Sequence, residues 1–156
     1  MGSASGNWPS STARMYAAVA GASAVFHLAG VTKTLAPREF FEVNRRGVAH
    51  VARACAEQST PPVLIVVSSL AASGPAIDGR PRKESDEPHP ISWYGRSKRG
   101  GERAAGRYAG DVPITIVRPP IVFGEGDRLS LEMFKPVARW GVHPVPGLVP
   151  RHYSLI

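Results

Sequence analysis

The sequence predicts an α/β fold in which helices cover a parallel sheet. The clearest signal is the apolar run Val-Leu-Ile-Val-Val at 63–67, which has strand length and the composition expected when both faces of a parallel sheet are covered. Two further apolar runs, at 24–29 and 113–118, are each separated from it by a segment of helical length. Strands that alternate with helical crossovers are typical of parallel α/β sheets.

The predicted elements follow one another in a regular order. Residues 1–12 are rich in Gly, Ser, Ala and Asn and are expected to be either a flexible end or the remnant of a longer segment. The first helix is expected to stop at Gly21, and Pro37 suits the first turn of the second. A polar loop rich in proline and glycine occupies about 73–92. Four helices are predicted, at about 12–20, 37–58, 94–109 and 129–140.

Composition and charge indicate one globular domain spanning 1–156 in a reducing, cytoplasmic setting. The chain is 43% hydrophobic and 20% charged, and its single cysteine, Cys55, excludes an internal disulfide framework and leaves no cysteine cluster for a metal. The net charge of +7 comes mostly from scattered arginines, so we expect no nucleic-acid partner, although an anionic small ligand would be attracted. The apolar stretch 15–31 is short and interrupted by His27, so no membrane span is expected.

The residues that follow each strand are the candidates for a ligand site. Ligands of open α/β sheets bind outside the carboxyl ends of the strands. Those ends fall at 29–31, 68–69 and 118–120. Tyr94 opens the helix that returns from the second strand. We therefore expect Ser69, Tyr94 and Lys98 to share one crevice.

The pair Tyr94 and Lys98 has a spacing that suits acid–base chemistry. Residues four apart lie on the same face of a helix, with Cβ atoms roughly 5–6 Å apart. A free phenol titrates near pH ~10 and is a poor base at neutral pH, whereas a neighbouring ammonium favours its ionised form. By itself this spacing also fits an amphipathic helix with no catalytic role.

Asn44 is the polar member of an otherwise apolar stripe on the second predicted helix. The other members of the stripe are Phe41, Val48, Val51 and Cys55. An asparagine on a core-facing stripe is unfavourable unless its amide is hydrogen-bonded. Asn44 is therefore either a satisfied structural residue or a residue that holds the lysine, through a water, or a ligand group. Cys55 is interpreted as a core residue.

These pieces occur together in an order that resembles a known family. They are Phe26-His27-Leu28-Ala29-Gly30, Asn44, Val67-Ser68-Ser69, Tyr94-x-x-x-Lys98, Val117-Arg118-Pro119-Pro120 and Phe123-Gly124-x-Gly126-Asp127. The set closely resembles the extended short-chain dehydrogenase/reductase family, the NAD-dependent epimerase/dehydratases. The resemblance implies a Rossmann-like, doubly wound parallel sheet and a cofactor that is NAD or NADP. Family members often form homodimers, but the sequence leaves the oligomeric state open.

The resemblance also implies a role for each matching residue. Tyr94 would be the catalytic acid/base for hydride transfer at a substrate hydroxyl or carbonyl, and Lys98 would bind the nicotinamide ribose. Ser69 would hydrogen-bond the reacting oxygen, and Asn44 would complete the relay or contact the cofactor side of the site. The residues that would line the cofactor are Leu28, Ala29, Gly30, Lys33, Ser68, Lys98, Pro119 and Val122.

The sequence departs from the family pattern in ways that limit the prediction. No G-x-x-G-x-x-G occurs, so we expect a partial fold that lacks the N-terminal glycine-rich βαβ unit, as in the middle of a longer enzyme. Ser73 stands where sugar-nucleotide epimerases commonly have tyrosine, which favours the reductase and sterol-dehydrogenase-like branches. The substrate classes considered are sugar nucleotides, sterol-like compounds and other hydroxyl or carbonyl compounds. An inactive truncated fragment and a non-catalytic cofactor-sensing or interaction module remain alternatives.

Overall fold

The computed structural model describes residues 12–76 and 80–142, and its three strands form one parallel sheet. The strands are β1 (Ala24–His27), β2 (Val63–Val67) and β3 (Ile114–Val117). The sheet order is β1-β2-β3, with His27 opposite Val66 and Val66 opposite Ile116. The predicted α/β fold with a parallel sheet is confirmed. The flexible end predicted at 1–12 lies almost wholly outside the described residues.

The helices that connect the strands lie close to their predicted positions. They are α1 (Thr12–Val19), α2 (Pro37–Phe41), α3 (Gly47–Ala56), α4 (Trp93–Gly106) and α5 (Arg128–Trp140). The second predicted helix is continuous but contains a π-helical segment, Glu42–Arg46, between α2 and α3. A short 3₁₀ turn, Leu70–Ala72, follows β2. None of the helices within the described ranges is long and apolar enough to cross a membrane.

The core lies between β2 and helices α1, α3 and α4, on one face of the sheet. Its buried members are Val19, Val48, Ala52, Ala54, Cys55, Leu64, Val66, Ala105 and Val112. Burial alternates along β1 and β2, and Phe26, on the opposite face, is 66% exposed. The face that carries Phe26 is less covered than the face that carries Leu64 and Val66, because the helices of residues 12–118 pack on the latter.

The first turn of α4 is set by local sequence. The hydroxyl of Ser92 accepts a hydrogen bond from the backbone N–H of Gly95 at 3.0 Å, which satisfies one of the free donors at the helix start. This N-cap starts the helix one residue before Tyr94, so that Tyr94 and Lys98 occupy its first two turns. The helix ends at Gly106, three residues earlier than predicted.

The chain divides into two compact units, residues 1–118 and 119–156. The first contains the sheet and helices α1–α4, and the second contains α5. Within the second unit, the rings of Phe123 and Phe134 meet edge to face with centroids 5.8 Å apart. That the two units form a single cofactor-binding domain stays a prediction.

Candidate active site

Lys98 extends from α4 to the carboxyl end of the central strand. Its Nζ donates a hydrogen bond to the carbonyl oxygen of Val67, the last residue of β2, at 2.6 Å. The side chain is partly buried, and this burial lowers the pKa of Lys98, an effect that the negative charge of Glu102 opposes. The ammonium therefore lies at the edge of the sheet where ligands of α/β folds bind.

Gly30 lies beside this ammonium, after β1. A Cβ atom at position 30 would lie 3.7 Å from the Nζ of Lys98 and 3.0 Å from the Oδ1 of Asn44. A side chain at this position would occupy the space next to Lys98. Glycine at position 30 therefore lets the segment after β1 approach the side chains of Asn44 and Lys98 closely.

Asn44 joins the segment after β1 to helix α4. The side chain is buried, with 1% of its surface exposed. Its Oδ1 accepts a hydrogen bond from the N–H of Val31 at 2.8 Å, and its Nδ2 donates to the carbonyl of Val31 and the hydroxyl of Ser97, both at 2.9 Å. The hydrogen bonds of the Asn44 amide are thus satisfied by the protein, as expected if Asn44 is a structural residue, which was one of its two predicted roles. It lies in the π-helical segment, a distortion that occurs frequently at functional sites.

Ser69 begins the 3₁₀ turn that follows β2, and this turn packs against the first turn of α4. The Ser69 hydroxyl accepts a hydrogen bond from the N–H of Ala71 at 3.2 Å. A Cβ atom at Gly95 would collide with the carbonyl oxygen of Ala71, so only glycine permits this approach. Tyr94, next to Gly95, is half-buried, and its ring centroid lies 6.0 Å from that of Phe40. The segments that carry Ser69, Tyr94 and Lys98 are therefore in direct contact.

The other predicted cofactor residues have varied surroundings. Leu28 is 67% exposed, Lys33 is exposed and Ala29 is half-buried. Ser68 is buried, and its hydroxyl donates to Glu102. Pro119 and Val122 belong to the second unit, where Pro119 is half-buried and Val122 is exposed.

Comparison with known proteins decides the family. Residues 7–139 match the profile of the NAD dependent epimerase/dehydratase family. The chain belongs to this family. The match covers more than half of the 156 residues, from before α1 to the penultimate residue of α5.

Two curated relatives match most of the chain. It is 38% identical over 127 residues to a ceramide reductase of Caulobacter vibrioides, covering 80% of this chain and 34% of that protein. It is 33% identical over 140 residues to the human 3 beta-hydroxysteroid dehydrogenase type 7, covering 80% of this chain and 38% of that protein. The chain thus spans just over a third of the length of these relatives.

Solved structures of epimerase/dehydratase proteins show the same fold. MoeE5 in complex with UDP-glucuronic acid and NAD superimposes with a TM-score of 0.67 at 26% identity, covering 78% of this chain and 44% of that one. DesIV, a dTDP-glucose 4,6-dehydratase from Streptomyces venezuelae, gives 0.73 at 20% identity over 86% of this chain and 44% of its own. These neighbours establish the Rossmann-type fold for this part of the family.

A buried ion pair next to the site was missed by the sequence analysis. The Glu102 side chain has no exposed surface, and Arg118 binds both of its oxygens, through Nε and Nη2, at 2.7 Å each. Ser68 donates to it at 2.6 Å and Arg99 at 3.0 Å. Burial alone raises the pKa of Glu102, but hydrogen bonds from Arg118, Ser68 and Arg99 outweigh it, and the pKa lies below its ordinary value.

One feature of the sequence indicated that the Glu102 carboxylate faces the sheet, but no feature indicated which residues bind it. Glu102 follows Lys98 by four residues, so the two share the helix face that looks toward the sheet. Acidic residues are almost never fully buried unless paired, and nothing local to Glu102 indicates that Arg118 would pair with it.

His27 is a second titratable group that the sequence analysis left unassigned. It is half-buried at the end of β1, and its Nε2 is buried without a hydrogen-bond partner among the described residues. Burial lowers the pKa of His27, and the positive charge of Lys98 lowers it further. A neutral imidazole near the ammonium is the favoured state.

Proposed function

We propose that this chain carries the acid–base residues of an NAD(P)-dependent oxidoreductase that acts on a substrate hydroxyl or carbonyl group. The main support is the position of Lys98, whose ammonium lies at the carboxyl end of β2 beside Gly30. Family membership makes a nicotinamide cofactor the natural ligand at this edge of the sheet. The ammonium fits this group, because a ribose needs a hydrogen-bond donor, and glycine at position 30 adds no side chain beside that donor.

In this proposal each residue of the set performs one task. Tyr94 holds a proton at its phenol oxygen and exchanges it with the substrate oxygen. Ser69 donates a hydrogen bond to that oxygen, and Lys98 holds the ribose. Asn44 keeps the segment at Val31 against α4. When bound, NAD or NADP supplies the hydride donor or acceptor.

For the substrate, we favour a lipid that bears a secondary alcohol or a ketone. Both curated relatives have names that denote this chemistry on lipids, a ceramide reductase and a 3 beta-hydroxysteroid dehydrogenase. Ser73, in place of the tyrosine common in sugar-nucleotide epimerases, points the same way. The second candidate is a sugar nucleotide, which the likeness to MoeE5 in complex with UDP-glucuronic acid favours.

The test is the change Tyr94→Phe in the full-length gene product. We expect kcat to fall by about 10²-fold or more because the proton at the phenol oxygen is lost, while the melting temperature stays within error. The matched control is Tyr108→Phe, which removes a phenol at a half-buried residue packed against the core. The probes are a 3β-hydroxysteroid with NAD, a ketone-bearing ceramide with NADPH, and UDP-glucuronic acid with NAD.

The outcomes separate the alternatives. Turnover retained in Tyr94→Phe refutes the proposed role of Tyr94. Turnover of UDP-glucuronic acid without turnover of either lipid would select the sugar-nucleotide candidate. If NADH and NADPH give no heat of binding in titration calorimetry and no probe is converted, the chain belongs to an inactive protein.

A further inference from the structure

We propose that Glu102 and Arg118 form a clamp that fixes the segment Ser68–Ser73 at both ends and so act as positioning residues for Ser69. The inference rests on the proposed function, because Ser69 is there the donor to the reacting oxygen. It adds two residues that contact neither substrate nor cofactor in that proposal. Their effect would pass through the backbone of the segment between them.

The two ends of the segment attach to opposite members of the ion pair. At the first end, the Ser68 hydroxyl donates to Oε1 of Glu102 at 2.6 Å. At the second end, the Ser73 hydroxyl accepts from Nη1 of Arg118 at 3.1 Å. Because Arg118 also binds both oxygens of Glu102, the two hydroxyls belong to one continuous hydrogen-bonded network.

Ser69 lies between these anchors and is itself weakly attached. Its hydroxyl accepts one hydrogen bond, at 3.2 Å, from Ala71 within its own turn. The backbone is held beside it, since the N–H of Ser68 donates to the carbonyl of Val117 at 2.7 Å and the N–H of His89 donates to the carbonyl of Ser73 at 2.9 Å. The Ser69 side chain is thus left for a ligand, while the residues around it are fixed.

The chemistry of the clamp fits positioning better than stability alone. Removing two charges from water is costly, and apolar residues of similar size often stabilise a fold as well or better. The planar guanidinium of Arg118 instead binds a carboxylate in bidentate fashion and still reaches a hydroxyl on the segment. Fixing a catalytic group to well within 1 Å is the kind of task that such supporting contacts perform.

Arg99 provides an internal comparison. It binds the same carboxylate, with its Nη1 3.0 Å from Oε2 of Glu102, but none of its described hydrogen bonds reaches the segment. Removing Arg99 takes away one partner of the buried charge and leaves both anchors in place. Removing the Ser73 hydroxyl leaves the ion pair in place and takes away one anchor.

The experiment compares Ser73→Ala with Arg99→Ala in the full-length gene product, each alone and combined with Ser69→Ala. The first measurement is amide hydrogen exchange of residues 69–72, which needs no substrate. The second is kcat and KM for a 3β-hydroxysteroid with NAD, and the third is the Kd for NADH by titration calorimetry.

We expect Ser73→Ala to speed exchange in 69–72 several-fold and to lower kcat by about 10- to 100-fold, with the Kd for NADH unchanged. On the Ser69→Ala background the same change should lower kcat no further, because its effect passes through Ser69. Arg99→Ala should leave the exchange of the segment unchanged.

Unchanged exchange in Ser73→Ala overturns the clamp, and so does a loss of kcat that multiplies with that of Ser69→Ala. Failure of the proposed function is recognised separately, as turnover that survives Tyr94→Phe.

The change Arg118→Lys is a second test of the clamp, because one ammonium cannot make all three contacts of the guanidinium. It should speed exchange in 69–72 at least as much as Ser73→Ala, and slower or unchanged exchange would contradict the clamp.

Discussion

Helix α4 is attached to the rest of the fold by two buried polar clusters that differ in charge. Toward the π-helical segment, Ser97 on α4 meets Asn44, which also binds the backbone of Val31, and every group is neutral. Toward β3, Glu102 on the same helix meets Arg118 and Ser68, and the cluster contains full charges.

The difference determines how each cluster responds to damage. In a neutral cluster each lost partner leaves one dipole unsatisfied, which costs about 1–3 kcal/mol. In the charged cluster the desolvation of the ions is offset only while both are present, so removing one leaves a buried charge unpaired. We therefore expect the loss of one partner to lower the free energy of unfolding less in the neutral cluster than in the charged cluster.

The largest expected effect is that of Glu102→Ala. It should lower the free energy of unfolding by about 3–5 kcal/mol, because it leaves the guanidinium of Arg118 largely buried without its counter-ion. The neutral counterpart, Ser97→Ala, removes one partner of the Asn44 amide and should lower it by about 1–3 kcal/mol. Urea titration measures both. A loss in Glu102→Ala no larger than that in Ser97→Ala would contradict the comparison.

An intermediate effect is expected at the pair of glycines in the middle of α4. A Cβ atom at Gly101 would lie 2.5 Å from the backbone carbonyl oxygen of Asn44, so Gly101→Ala should force the helix from the π-helical segment and lower the free energy of unfolding by about 1–3 kcal/mol. This close approach also accounts for a residue that is otherwise unfavourable in a helix.

Gly100→Ala is the matched control for this prediction. Its nearest neighbour would be the flexible side chain of Arg45, with Cδ at 3.3 Å, which can move aside. The higher helix propensity of alanine should then raise the free energy of unfolding by up to about 1 kcal/mol. Equal effects of the two changes, measured by urea titration, would contradict the packing argument.

The smallest expected effect is a pH dependence of the free energy of unfolding that comes from His27. This residue belongs to neither cluster and lies near Lys98. Because the pKa of His27 is lowered below 6.5 in the folded chain, the unfolded chain binds the proton first as the pH falls. The free energy of unfolding should therefore decline as the pH drops below about 6.5, by about 1.4 kcal/mol for each unit by which the pKa is lowered.

The variant His27→Leu checks this sign. In urea titrations between pH 5 and pH 8, its free energy of unfolding should decline less than that of the unchanged chain at the acidic end, with the two slopes converging above pH ~7. A steeper decline in the variant would show that the imidazole gains stability on protonation.

The elements of the fold were largely predictable because their signals are local. The apolar run at 63–67 became β2, and the pattern from Tyr94 became most of α4. The π-helical segment was not predictable, because it keeps the helical pattern of side chains and differs only in the backbone. The exposure of Phe26 was not predictable either, because an apolar run does not indicate which helices pack on each face of the strand.

By itself, the sequence determined the order of strands and helices and the placement of Tyr94 and Lys98 one turn apart, since both follow from residues near one another in the chain. Only the tertiary structure decided what those residues meet. The hydroxyl of Ser97 is 53 residues from its partner Asn44, Glu102 is 34 from Ser68, and Arg118 is 45 from Ser73. Such contacts carry no periodic signal, because they join residues that are distant in the chain and meet only when the helices pack on the sheet. The glycines of α4 decide how closely that helix approaches its neighbours.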